Sequence, residues 1–284
     1  MTSKTSAKVT AGAQETVHGK RRGSKLAKFK RFLPLYLMFL PGAVYLFINN
    51  YIPMAGIIVA FKNYNARQGT WESPFCGLKN FEFLFATSDA WVITRNTLLY
   101  NLAFIVFGII FEVGFAVMLS EITKKTFKKV TQAFMFLPYF ISWVVVSTIM
   151  LNIFGQNGVL SNVLAHFGIE DFSIYQQIRQ WPVIMVAIRI WKQTGYGTVV
   201  YLAAIAGLSQ EMFEAASIDG ASIWQKIRYI TIPGLKPTIF IMFLLSVGNI
   251  FRGDFGMFYQ LVGNNQLLLE TSDVIDTFVY RSLI

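Results

Sequence analysis

The sequence predicts an all-α, polytopic transmembrane helical bundle, on three grounds. Apolar residues make up 54% of the 284-residue chain and charged residues 14%, where a soluble domain carries about 25% charged residues. Mean hydropathy is +0.49. Runs apolar enough and long enough to cross a bilayer, about 20 residues, recur along the chain, and the basic residues between them alternate in the positive-inside pattern.

The spans expected from these runs are residues 33–61, 97–119, 133–154, 181–205 and a short fifth, 237–251. Pro34, Pro41 and Pro53 lie in the first, so a kinked or interrupted helix is expected there. With the N-terminus in the cytoplasm, the inner segments hold 16 Lys or Arg: nine in residues 1–31, four in "KKTFKK" and three in the 206–236 loop. The outer segments hold seven, while acids number five inside and nine outside. This orients a multi-pass chain in a cytoplasmic membrane, with residues 1–31 as a basic cytoplasmic tail and 32–284 as the membrane domain. The tail, with "KRRGSKLAKFKR", is attracted to anionic lipid headgroups. It adjoins a span and lacks interleaved aromatics, so it is not a nucleic-acid footprint. The first apolar run is too long for a signal-peptide core.

Several chemistries are missing. One cysteine, Cys76, excludes an internal disulfide or a cysteine-rich metal site. His18 and His166 fall on opposite sides of the membrane and cannot share a metal. No G-x-x-x-x-G-K-[ST] phosphate loop occurs. "GYG" at 195–197 lies within a span and reads as close helix packing or a local kink. The chain is therefore not expected to be an enzyme or to hold a metal or cofactor of its own, and no paired catalytic set supports an intramembrane enzyme.

The stretch "EMFEAASIDGASIWQKIRYITIPGLKP" stands between two spans yet is helical in pattern. Residues 211–219 form a first helix, with small side chains at Ala215 and Ala216. Gly220 permits the positive φ of a sharp reversal, Ser222 caps a second helix, and Pro233 is expected to stop it. Ile223, Ile227 and Ile230 recur at helical spacing. A helix–turn–helix of this kind transmits force as a rigid body. Its small residues admit another backbone, and Glu214 offers a charge at the contact edge.

The run Glu214, Ala215, Ala216, then Asp219 and Gly220, then Ile230 to Pro233, resembles the EAA coupling loop of binding-protein-dependent ABC importer permeases, with Ile232 where leucine is usual. "LPLYLMFLPGAVYLFINNYIPMAGIIVAFKNYN", "GLKNFEFLF", "IWKQTGYGTVVYLAAIAGLSQEMFEAA" and "ETSDVIDTFVYR" resemble the carbohydrate-uptake branch, particularly permeases for oligosaccharides or polysaccharide fragments. The resemblance implies the type I ABC importer permease fold and a heterodimer with a second homologous permease. It also implies two cytoplasmic ATPase subunits, which bind ATP and Mg, and an extracytoplasmic solute-binding protein. It further implies a sixth span, so the chain is expected to continue beyond Ile284.

Glu112, Arg189 and Lys192 lie within spans, where an ionised group costs at least about 2.5 kcal/mol unless paired or hydrated. Helical rise puts Lys192 about 16 Å and Glu112 about 22 Å from the outer ends of their spans. Opposite charge and similar depth lead us to expect a Glu112–Lys192 pair, the alternative being direct contact with solute. Asn152, Trp191, Gln193, Tyr196 and Asn249 offer aromatic faces and hydrogen-bonding groups suited to a sugar path. Two other readings stay open: a permease for another solute class, such as a glycoside or polyol, and an ion-coupled secondary transporter with Glu112, Arg189 and Lys192 as its relay.

Overall fold

A computed structural model describes residues 25–168 and 172–284; most of the predicted basic tail, with His18, lies outside the described residues. The described residues are helical, with an isolated bridge between Lys62 and Phe75. They form two compact units, one up to Glu82 and the other Phe83–Ile284.

In the first unit, helix α1 (Lys25–Leu46) holds Pro34 and Pro41 in its interior without a break. It continues through a π turn, Phe47–Tyr51, and a 3₁₀ stretch, Ala55–Phe61, on either side of Pro53. The expected interruption is thus a change of winding. A hairpin-like segment follows: Lys62 Nζ donates to Thr70 O and Trp71 O at 3.0 and 2.8 Å, and Phe61 lies against Phe75 and Phe81.

The second unit is built on α2 (Asp89–Glu121) and α5 (Trp181–Ala206), which pack along their lengths. Both are mostly apolar, with polar residues such as Asn101 and Glu112 on α2 and Arg189, Lys192 and Gln193 on α5 set among the apolar ones. The span expected at 133–154 is not one helix. It divides into α3 (Lys125–Phe140) and α4 (Trp143–Phe154), with Ile141 and Ser142 extended between them. Pro138, in the last turn of α3, brings no N–H to the ladder, and Ser142 Oγ accepts from Val145 N at 3.3 Å to start α4 afresh. Counting apolar residues missed this break because every residue around it is apolar or small.

Beyond α5 come α6 (Gln210–Ile218) and α7 (Ile223–Val247). Here the expected stop at Pro233 does not occur. Helix α7 runs through Pro233 and Pro237, and a π turn over Ile227–Thr231 precedes Pro233. The Ile232 N–H reaches back five residues to Ile227 O. A wider turn shifts the carbonyl register beside Pro233, which has no N–H to give, so that proline is tolerated. The fifth crossing is therefore longer than 237–251 at its loop end, and it closes at Val247, leaving Asn249 in the turn that follows. Among the described residues, Phe32–Phe61, Asp89–Glu121, Trp143–Ala165 and Ile223–Val247 are long and apolar enough to cross a membrane. Helix α5 is of similar length but carries Arg189 and Lys192.

Three short helices, α8 (Phe255–Val262), α9 (Gln266–Ser272) and α10 (Ile275–Leu283), cap the end of the bundle away from the 206–236 loop. Side chains of α2 fasten them: Asn96 Nδ2 donates to Glu270 O and Asp273 O at 3.1 and 3.0 Å, and Thr97 Oγ1 accepts from Ile275 N at 3.0 Å. Asp273 is paired with Arg281 and accepts from Thr277. Two apolar clusters hold the unit. One, around Trp181, Met185, Met257, Phe258 and Leu268, lies under the cap; the other, Val113, Ala116, Val117, Tyr201 and Leu235, lies toward the loop.

Candidate functional site

The 206–236 loop closes its first helix with a complete Schellman motif. Gly220 has φ +74°, Ala221 N donates to Ala216 O at 2.8 Å, and Gly220 N donates to Ser217 O at 3.2 Å. The second helix opens with a capping box, Ser222 N to Gln225 Oε1 at 2.7 Å and Gln225 N to Ser222 Oγ at 3.4 Å. Lys226 Nζ then clamps the halves together by donating to Ser217 Oγ at 2.7 Å. Glu214, Ala215 and Asp219 are exposed, Ala216 and Ile230 half-buried, and the connection to the span passes through Pro233. Ile218 and Trp224 are 87% and 80% exposed, so a rigid element presents apolar side chains to its surroundings.

The charged residues of the spans do not pair as expected. Lys192, 6% exposed, donates to Tyr139 O at 2.8 Å and Pro138 O at 3.4 Å, and its ammonium lies 5.1 Å from the Trp143 ring centroid and 5.7 Å from that of Tyr139. It satisfies the Tyr139 carbonyl that the break between α3 and α4 leaves open and adds a second donor to Pro138 O, which also accepts from Ile141 N at 3.2 Å. Arg189 pairs with Asp254 at 3.0 Å and lies over Phe104. Glu112 makes no ion pair among the described residues; its carboxylate lies against Gly197. The expected Glu112–Lys192 pair is absent because backbone oxygens already occupy the lysine. A double-mutant cycle of Glu112→Gln and Lys192→Met should therefore be additive to within about 0.5 kcal/mol in thermal unfolding. Lys192→Met alone should cost about 1–3 kcal/mol through the orphaned Tyr139 carbonyl.

The "GYG" glycines are packing positions. A Cβ on Gly195 would collide with the Met135 carbonyl and Phe136 Cα, and one on Gly197 would overlap the Glu112 carboxylate. At these two positions helix α5 meets α3 backbone to backbone and α2 through the Glu112 side chain.

Two adjoining cavities open beside α5. One, of about 400 Å³, is lined by Asn101, Glu112, Arg189, Gln193, Ser246 and Asn249 among others. The second, of about 460 Å³, shares Asn101, Phe104, Arg189 and Asn249 and adds Arg252, Asp254 and Asp276. Of the five residues named for a sugar path, Gln193 and Asn249 meet here. Trp191 faces a separate apolar groove with Phe107, Phe111 and Phe134. Tyr196 stacks on Tyr139, centroids 4.8 Å apart and planes at 12°. Asn152 is exposed on α4 and lines none of these cavities. Sequence reading missed Asn101, Ser246 and Asp254. Asn101 carried a signal, as a polar residue within an apolar run, whereas Asp254 was counted among the outer acids.

Residues 97–275 match the family described as "Binding-protein-dependent transport system inner membrane component". The chain is 33% identical to Protein LplB of Bacillus subtilis, over 90% of this chain and 80% of that one. It is 32% identical to the Polygalacturonan/rhamnogalacturonan transport system permease protein YteP of the same organism, over 87% and 77%. Among solved structures it is similar to a bacterial ABC transporter involved in the import of the acidic polysaccharide alginate, with TM-score 0.80 and 31% identity over 91% of this chain and 87% of that one.

Proposed function

The chain belongs to the family of binding-protein-dependent transport system inner membrane components, and from that premise we propose that it moves an oligosaccharide or polysaccharide fragment through the membrane, driven by ATP hydrolysis elsewhere. It is a transporter permease subunit of the type I ABC importer fold, not an enzyme. Its partners are a second permease, two ATPase subunits that bind ATP and Mg in the cytoplasm, and an extracytoplasmic solute-binding protein; a relative of this fold was solved with such a periplasmic protein bound. The substrate class rests on the relatives named for polygalacturonan, rhamnogalacturonan and alginate.

The observation that carries this reading is the 206–236 loop. A Schellman turn, a capping box and a lysine clamp make it stiff, while its apolar side chains stay exposed. Glu214, Ala215, Ala216, Asp219, Gly220, Ile230 and Pro233 form the element that docks on an ATPase. Asn101, Gln193 and Asn249 line the solute path, at whose edge Arg189 is held by Asp254. The N-terminus lies in the cytoplasm, as the charge alternation supports. The ion-coupled alternative lacks a relay, because Arg189 and Lys192 are both committed to fixed partners. The test is purification of the importer from its native host with partners attached. Recovery of an ATPase and a saccharide-binding protein is expected; recovery of this chain alone, with uptake driven by an ion gradient, would overturn the reading.

A further inference from the structure

At the end of the bundle away from the 206–236 loop, the chain leaving α7 meets α8 and α10 around a cavity of about 730 Å³. It shares Asn249, Arg252, Phe255 and Asp276 with the 460 Å³ cavity beside α5, so the two adjoin. The charged residues lining this pair of cavities are Arg189, Arg252, Asp254 and Asp276. Three of them hold fixed partners. Asp254 accepts from Arg189 at 3.0 Å and from Met257 N at 3.1 Å, and Asp276 Oδ2 accepts from Gly253 N at 2.6 Å. Arg252 is exposed, and its guanidinium has no partner among the described residues. Aromatic rings stand beside it. Phe255 and Tyr280 meet edge to face with centroids 5.0 Å apart, and Tyr259 braces them at 5.1 and 5.0 Å. Both rings line the cavity, together with Phe251, which is 62% exposed.

A guanidinium is a planar fork of N–H donors with no acceptor, and its geometry matches the two oxygens of a carboxylate. Aromatic faces cover the apolar face of a sugar ring. The second oxygen of Asp276 suits a sugar hydroxyl, which can donate to it. Resting on the permease reading, we propose that this cavity is an entry subsite for an acidic saccharide, in which Arg252 takes a uronate carboxylate and Phe251 with the Phe255 and Tyr280 pair takes the sugar ring. Arg252 is then the specificity residue at the mouth of the path, and Arg189, already held by Asp254, is not.

The test uses the assembled importer, with partner permease and ATPases, purified in detergent without the binding protein, so that only the membrane path can select. Calorimetry compares a galacturonan trisaccharide with the same trisaccharide after its carboxyls are reduced to primary alcohols. The acidic form should bind at least about tenfold more tightly, as a charge-assisted bidentate contact allows. Arg252→Gln should erase most of that preference and leave the reduced form within about twofold of its wild-type affinity, while Arg252→Lys, which lacks the fork, should keep only part of it. Phe251→Ala removes a ring and no charge, so it should weaken both sugars alike. Equal affinity for the two sugars, or a preference that Arg252→Gln leaves in place, would overturn the assignment while the saccharide reading stands. Binding of neither sugar would overturn the saccharide reading itself and this assignment with it.

Discussion

The importer carrying Ala215→Arg is expected to reach the membrane in wild-type amount and to lose its ATPase on purification. Ala215 is exposed on α6, between Glu214 and the half-buried Ala216, one turn before the Schellman closure at Gly220. The substitution lies outside every span, so insertion is untouched, and arginine is a good helix former, so α6 persists. A long cation where a close-fitting partner expects a methyl group costs about 1–3 kcal/mol in overpacking alone, or about 5- to 150-fold in affinity. Pull-down of the ATPase, quantified against membrane-inserted permease, reads the effect. Wild-type recovery would show that this face of the loop is not the docking surface.

Gly195→Leu is expected to prevent assembly of the bundle. A Cβ at this position runs into the Met135 carbonyl and Phe136 Cα, and backbone cannot swing aside as a side chain does. Helices α3 and α5 must part, which also withdraws the Pro138 and Tyr139 carbonyls from Lys192. Gly195→Ala should already cost about 1–3 kcal/mol. Gly207→Ala, whose added carbon would approach only Ala204 O at 3.4 Å and Ala203 O at 3.8 Å, is the matched control. Thermal melts of detergent-purified protein compare the three; a Gly195→Leu variant melting with wild type would contradict the close approach.

What could be read in advance was what the chain encodes locally. The positive φ at Gly220 and the cap at Ser222 follow from residues a few positions apart, and both stand in the structure. The packing role of "GYG" was legible because glycine pairs in spans have few other uses. The partner of Lys192 was not legible. It is a pair of backbone oxygens 53 and 54 residues away, and a carbonyl leaves no mark in a sequence. Arg189 finds Asp254 across 65 residues, after a reversal of chain direction that residue spacing cannot specify. The stop expected at Pro233 failed for a related reason: proline forbids one hydrogen bond, and a local change of winding removed the demand for it.

That change of winding also sets angles. Eight residues separate Ile227 from Leu235, and in a regular α-helix they would point about 80° apart. The π turn absorbs one residue, which brings the two within about 20°, and both join the same core cluster. It is a phase corrector, and a count in steps of 3.6 carried across Pro233 mis-assigns which loop residues share a face with the span. Deleting one residue within Ile227–Thr231 should leave the loop facing as before, whereas the same deletion at 239–246 should turn it by about 100° and swing the Ala215 face off its partner.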